Sequence, residues 1–235
     1  MQSSSTPQIV ALAEQYVRTV LSGNDASHDF YHIERVVKNA QRIAQREGVT
    51  CAQQLEVIHL AALLHDVHDY KYSGSESAGA IAITQFLTEH AYDGEHIRQI
   101  LYIVNNLSFK NELMATDKNC NEQPPDQWKQ ALAIVQDADR LDAIGAIGVG
   151  RCMAFSGAKG RALYDPEIKP RDQLSKEEYM NKSSSDDTAI NHFYEKLFKL
   201  KDLMRTKTGR EMAESRHRFM QQYVDQFLAE WECRD

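Results

Sequence analysis

The sequence predicts an all-α protein, a single helical bundle. Three observations predict it. Apolar residues recur at three- and four-residue spacing through most of the chain. No window shows sustained alternation of period two between Gly/Asn turns. The segment Val57–Leu64 is almost uniformly apolar in a chain whose mean hydropathy is −0.54, so it reads as a helix buried on all sides.

The first helix is carried by Ile9, Leu12, Ala13, Tyr16, Val17 and Val20, with Ser3–Pro7 as its start signal and Gly23-Asn24-Asp25 as its stop. A second helix spans about 28–47. Its inner stripe is Ile33, Val36, Val37, Ala40, Ile43 and Ala44, and Gly48 ends it. The third runs from Cys51 to about Val67, and a polar loop with Gly and Ser follows over 70–79. Helices are expected near 76–90 and 94–106. Pro124-Pro125 belongs to a loop over 119–126, ahead of one long helix from about Gln127 to Phe155. Residues 156–188 read as irregular, with Gly157, Gly160, Pro166 and Pro170; so long a segment in a compact domain is more often functional than idle. Two helices, about 189–206 and 208–232, finish the chain.

No internal repeat and no linker-like shift in composition divides the chain, so 1–235 reads as one domain. With 235 residues, 42% hydrophobic and 26% charged, it can bury a substantial core without disulfides. Cys51, Cys120, Cys152 and Cys233 form no CxxC pair, which argues against a zinc ribbon or dithiol redox centre and fits a reducing compartment. The net charge of −7 excludes a chain-wide basic nucleic-acid footprint. The N-terminus lacks a basic n-region, and no run approaches the ~20 apolar residues of a membrane span. The expectation is a cytoplasmic protein with neither nucleic acid nor membrane as partner.

The buried third helix ends in His65, Asp66, His68 and Asp69. Ionisable groups there are costly unless paired, and a divalent metal is an effective partner for an adjacent His and Asp. On a regular helix these two side chains diverge by about 100°, so both reach one ion only near the helix end. His32 shares a stripe with Val36, Ala40 and Ile43 and looks inward; His28 lies one turn earlier. Between Val135 and Ala143 an apolar helix is interrupted by Asp137, Asp139 and Asp142. Periodicity alone does not choose between Asp137 and Asp139 as a further ligand. Asp142 reads as a supporting or capping acid, His59 as a hydrogen-bonded core residue, and His90, His96, His192 and His217 as surface or packing residues.

The blocks HDFYHIERV, LLHDVHDYKY, VNNLSFK, VQDADRLDAIGAIG and INHFYEKLFKLKDLM occur in order over about 25–230. Together they resemble the HD-domain metal-dependent phosphohydrolase superfamily, and more closely its small bacterial members with nucleotide pyrophosphohydrolase or phosphohydrolase activity. The resemblance implies His32, His65, Asp66 and Asp139 as ligands, the last because Ala138-Asp139-Arg140-Leu141 matches the A-D-x-L block. It places the metal-site core at about 25–155, with the C-terminal helices, about 189–232, packing on it. No further histidines are spaced for a second site, so one divalent ion is expected; the mixed N/O donor set suits Mn²⁺, Co²⁺, Ni²⁺, Fe²⁺ or Zn²⁺, with Mg²⁺ also an alternative, and the resemblance favours Mn²⁺.

The activity so implied is hydrolysis of a nucleoside triphosphate between its α and β phosphates by a metal-activated water. Asp69, three residues past Asp66, is the expected base. Lys71, Lys110 and Arg140 are the expected phosphate contacts. Lys196, Lys199, Lys201, Arg205, Lys207 and Arg210, against Asp202 alone, read either as an approach for a triphosphate or as a solvated face. The competing reading is a nucleotide-sensing module that binds without turnover. An HD-type oxygenase would need two irons and further ligands that the spacings do not supply.

Overall fold

Apolar stripes of helical period set the first five elements of the computed structural model, which describes residues 6–23, 29–68, 77–107, 124–171 and 187–234. Helix α1 (Thr6–Val20) buries the row Ile9, Ala13 and Val17. Helix α2 (Phe30–Arg46) starts at Asp29, whose Oδ1 accepts the backbone N–H of His32 at 3.1 Å. It buries His32 together with Ile33, Val36, Val37, Ala40, Ile43 and Ala44. Helix α3 (Ala52–Leu64) is apolar nearly all round, burying Val57, Ile58 and every residue from Leu60 to Leu64. Each buried Leu or Ile there contributes about 1.5–3 kcal/mol. Helices α4 (Ala78–Glu89) and α5 (Gly94–Asn106) follow, α5 capped by Asp93.

Helix α6 (Asp126–Asp142) is followed by α7 (Gly145–Ala158), α8 (Ala189–Glu195), a 3-10 helix (Leu197–Leu203) and α9 (Lys207–Trp231). The described residues fall into two compact units, 6–23 with 29–138, and 139–234; helix α6 runs unbroken through the boundary. Among the described residues there is no strand, only an isolated bridge between Ala162 and Thr188. No helix among them is long and apolar enough to cross a membrane.

In the first unit α3 is the centre, packed by α1, α2 and α5. Polar side chains tie the helices to one another through backbone carbonyls. Gln54 donates to the Gln127 carbonyl at 2.7 Å and accepts from Gln99 at 3.2 Å. Gln136 donates to the Asn106 carbonyl at 2.8 Å, and Asn39 to that of Ala138 at 3.3 Å. In the second unit α9 packs on α7 and the 3-10 helix. Phe193 lies between Phe198 and Tyr223, with ring centroids 5.9 and 6.1 Å away. The buried Asp187 pairs with Arg161 at 3.0 Å.

Three sequence expectations are corrected. The single helix expected over 127–155 is two, because Ile144 is extended and Gly145 adopts φ +77, a left-handed conformation that favours glycine. The irregular stretch expected from 156 starts later, since α7 continues to Ala158. The helix expected over 189–206 breaks at Lys196 (φ −139, ψ −58) and resumes as a 3-10 helix. Glu195, the last residue before that break, is held by Arg171, whose backbone N–H and Nε both donate to its Oε1, at 3.1 and 3.0 Å.

Candidate metal centre

Two local structures present the histidines. His32 sits in the first turn of α2, its backbone fixed by the Asp29 cap and its ring buried with the apolar stripe. His65 follows the last residue of α3 in helical conformation (φ −62, ψ −31). Its Nδ1 lies 2.9 Å from the Ala62 carbonyl oxygen. A carbonyl only accepts, so Nδ1 is a protonated nitrogen and Nε2 is the one turned toward Asp66. This is how metal-ligating histidines are commonly oriented.

Asp66 lies between the two rings. Its Oδ2 is 3.3 Å from His32 Nε2 and its Oδ1 is 3.6 Å from His65 Nε2. The side chains of His32, His65 and Asp66 are only 2%, 4% and 16% exposed. The rings stand edge to face, with centroids 5.2 Å apart. An ion with bonds of about 2.0–2.2 Å holds neighbouring donor atoms roughly 2.8–3.6 Å apart, so both spacings suit ligands of one ion.

A further candidate donor lies on α6. Asn39 of α2 bonds the Ala138 carbonyl, and the next residue along the same helix is Asp139. His32, His65 and Asp139 each offer one ligand atom within 4.8 Å of one another. Neither Asp137, which is fully buried, nor Asp66 is in that set. Two imidazoles and carboxylates form a mixed N/O donor set that fits a divalent first-row ion.

The turn after α3 is fixed from outside. Val67 N–H donates to the Leu64 carbonyl at 3.1 Å, and His68 is exposed with φ 52. The Val67 carbonyl is met by Gly79 of α4, where a Cβ would stand 2.6 Å from that oxygen. Only a glycine allows this approach without a shift, and the sequence reading did not register it.

Arg140 is 5% exposed and its Nη1 donates to the Leu203 carbonyl. Asp142 is buried and pairs with Arg151 at 3.1 Å. His59 is half-buried, with Nδ1 3.4 Å from Gln41 Nε2, and burial pushes its pKa down against the opposing pull of Glu14 and Glu56. Asp69, Lys71, Lys110 and His28 lie outside the described residues.

Comparison with known proteins gives consistent similarities. A family model described as HD domain matches residues 29–144. The chain is 33% identical over 211 residues to the uncharacterized protein YpgQ of Bacillus subtilis (strain 168), covering 90% of this chain and 88% of that protein. A crystal structure of YpgQ in complex with ADP is similar with a TM-score of 0.67 at 31% identity, covering 95% of each chain. A Lactobacillus plantarum protein is similar with a TM-score of 0.80 at 34% identity, covering 99% of this chain and 100% of that one. An HD-superfamily hydrolase from Bacillus thuringiensis gives 0.70 at 37% identity, covering 97% and 98%.

Proposed function

This chain belongs to the HD domain family, and from that premise we propose that it is a metal-dependent phosphohydrolase acting on nucleotides, with a nucleoside triphosphate as substrate and pyrophosphate as one product. The observation that carries the reading is the Asp66 carboxylate set between two buried imidazoles, His32 and His65. We assign His32, His65, Asp66 and Asp139 as the residues that hold the ion. A divalent ion supplies positive charge against a phosphoryl oxygen and makes a water acidic enough to react near neutral pH.

The chain's own residues supply the rest. Asp69 takes the proton of the attacking water. Lys71 and Lys110 bind phosphate oxygens and offset the charge that spreads over them in the transition state. Arg140 joins them from a guanidinium already bonded to the Leu203 carbonyl, which its five donors permit. The ADP bound by YpgQ supports a nucleotide as ligand, and the block resemblance supports Mn²⁺ and cleavage between the α and β phosphates. We read the chain as one HD domain because α6 carries residues of both units.

The same ADP complex suits a second reading, a nucleotide-binding module without turnover. Hydrolysis of a nucleotide panel with Mn²⁺, followed by product analysis, separates the two. Release of pyrophosphate, lost in His65→Ala and Asp69→Ala, is the expected result. A nucleotide that binds and is never cleaved with any divalent ion sinks the hydrolase reading.

A further inference from the structure

We propose that Arg216, on the last helix, is a positioning residue for the metal centre: it fixes the final turn of α6 and thereby the carboxylate of Asp139. This rests on the metal-centre reading given above.

The final turn of α6 lacks good helical partners for its carbonyls. Ala143 N–H is shared between the Asp139 and Arg140 carbonyls, at 3.2 and 3.1 Å, and Ile144 N–H reaches the Leu141 carbonyl only at 3.4 Å. Arg216 Nη1 donates to that Leu141 carbonyl from 75 residues away in sequence. A cation at a helix C-terminus also meets the negative end of the helix dipole.

The contact is built on both sides. Gly145, at φ +77, lies against the stem of Arg216; a Cβ there would stand 2.9 Å from both Arg216 Cβ and Cγ. The left-handed glycine therefore ends α6 and also leaves room for the arginine. Two further ties hold the same turn, Arg140 to the Leu203 carbonyl and Arg151 to Asp142 at 3.1 Å. Arg216 grips the backbone two residues after Asp139. Ligand atoms must lie within about 0.2 Å of ideal distance, so a small tilt of this turn takes the carboxylate out of range.

The test is Mn²⁺ titration of the full chain, with free Mn²⁺ read by electron paramagnetic resonance. Arg216→Met is expected to raise the Mn²⁺ dissociation constant about 10–100-fold, the range for groups that orient ligands. Arg216→Lys, which keeps a charged donor, is expected to recover most of the affinity. Gly145→Ala presses on the contact from the other side and is expected to weaken binding too. Val224→Ala, a buried core change on the same helix, is expected to lower Tm and leave the dissociation constant unchanged.

Wild-type affinity in both Arg216→Met and Gly145→Ala overturns the proposal. So does equal weakening by Arg216→Met and Val224→Ala at matched loss of Tm, which would mark a purely structural role. If Arg216→Met does not fold, Arg216→Lys and Gly145→Ala decide. If the wild type binds no Mn²⁺, or His65→Ala binds it equally well, the metal-centre reading itself has failed and takes this role with it.

Discussion

His65 Nδ1 lies 2.9 Å from the Ala62 carbonyl oxygen, and this one bond settles which ring nitrogen faces Asp66. The prediction is spectroscopic. In ¹⁵N-labelled protein above the histidine pKa, His65 is expected to populate the Nδ1–H tautomer, with Nε2 bare of hydrogen. A dominant Nε2–H tautomer would contradict this orientation.

Stability should fall as pH drops below about 6.5, the ordinary histidine pKa. Burial pushes down the pKa of His59, and burial followed by the Lys201 charge pushes down that of His217. Below pH 6.5 the unfolded chain therefore binds more protons than the native one, and each group's contribution is lost as pH falls through its folded pKa. His59→Gln and His217→Gln should each flatten the decline of Tm between pH 7 and 5. An unchanged slope in both variants would refute the assignment.

Gly79→Ala should destabilise the protein. A Gly-to-Ala change in a helix usually adds up to about 1 kcal/mol of stability. Here the new Cβ meets the Val67 carbonyl oxygen at 2.6 Å, and neither partner is a flexible side chain. Overpacking of this kind costs about 1–3 kcal/mol. Thermal denaturation checks the sign: a raised Tm would show that the close approach is relieved at no cost.

Cys152 should resist alkylation in the native protein. Its thiol is buried, and burial pushes its pKa up to about 12, leaving almost no thiolate at pH 8. Cys51 and Cys233 are exposed. Peptide mapping after iodoacetamide treatment should show both modified and Cys152 intact until denaturant is added. Modification of Cys152 at the rate of Cys51 would contradict its burial.

Much of this fold was legible because its signals are local. The apolar run Val57–Leu64 marks α3 without reference to any partner, and the α2 stripe carries His32 inward with Ile33 and Val36. That His65 and Asp66 follow a buried helix was legible from the same run. The breaks at Gly145 and Lys196 were not, and the residues packed against them are remote in sequence. Arg216 packs on Gly145 from the last helix, and Arg171 holds Glu195 from the segment after α7. The pattern DAIGAIG remains apolar at helical spacing, and a glycine inside such a pattern is as compatible with a continuing helix as with a stop. That Asp139 rather than Asp137 groups with His32 and His65 is likewise something a periodicity cannot carry.

The central claim is that side chains from α2, the end of α3 and α6 gather on one divalent cation. Anomalous diffraction at the manganese edge, from crystals grown with Mn²⁺, tests it most directly. The expected map holds a single strong peak per chain, about 2.0–2.3 Å from His32 Nε2, His65 Nε2 and the carboxylates of Asp66 and Asp139. A fully loaded crystal with its peak elsewhere, or with none among these four residues, would contradict the account.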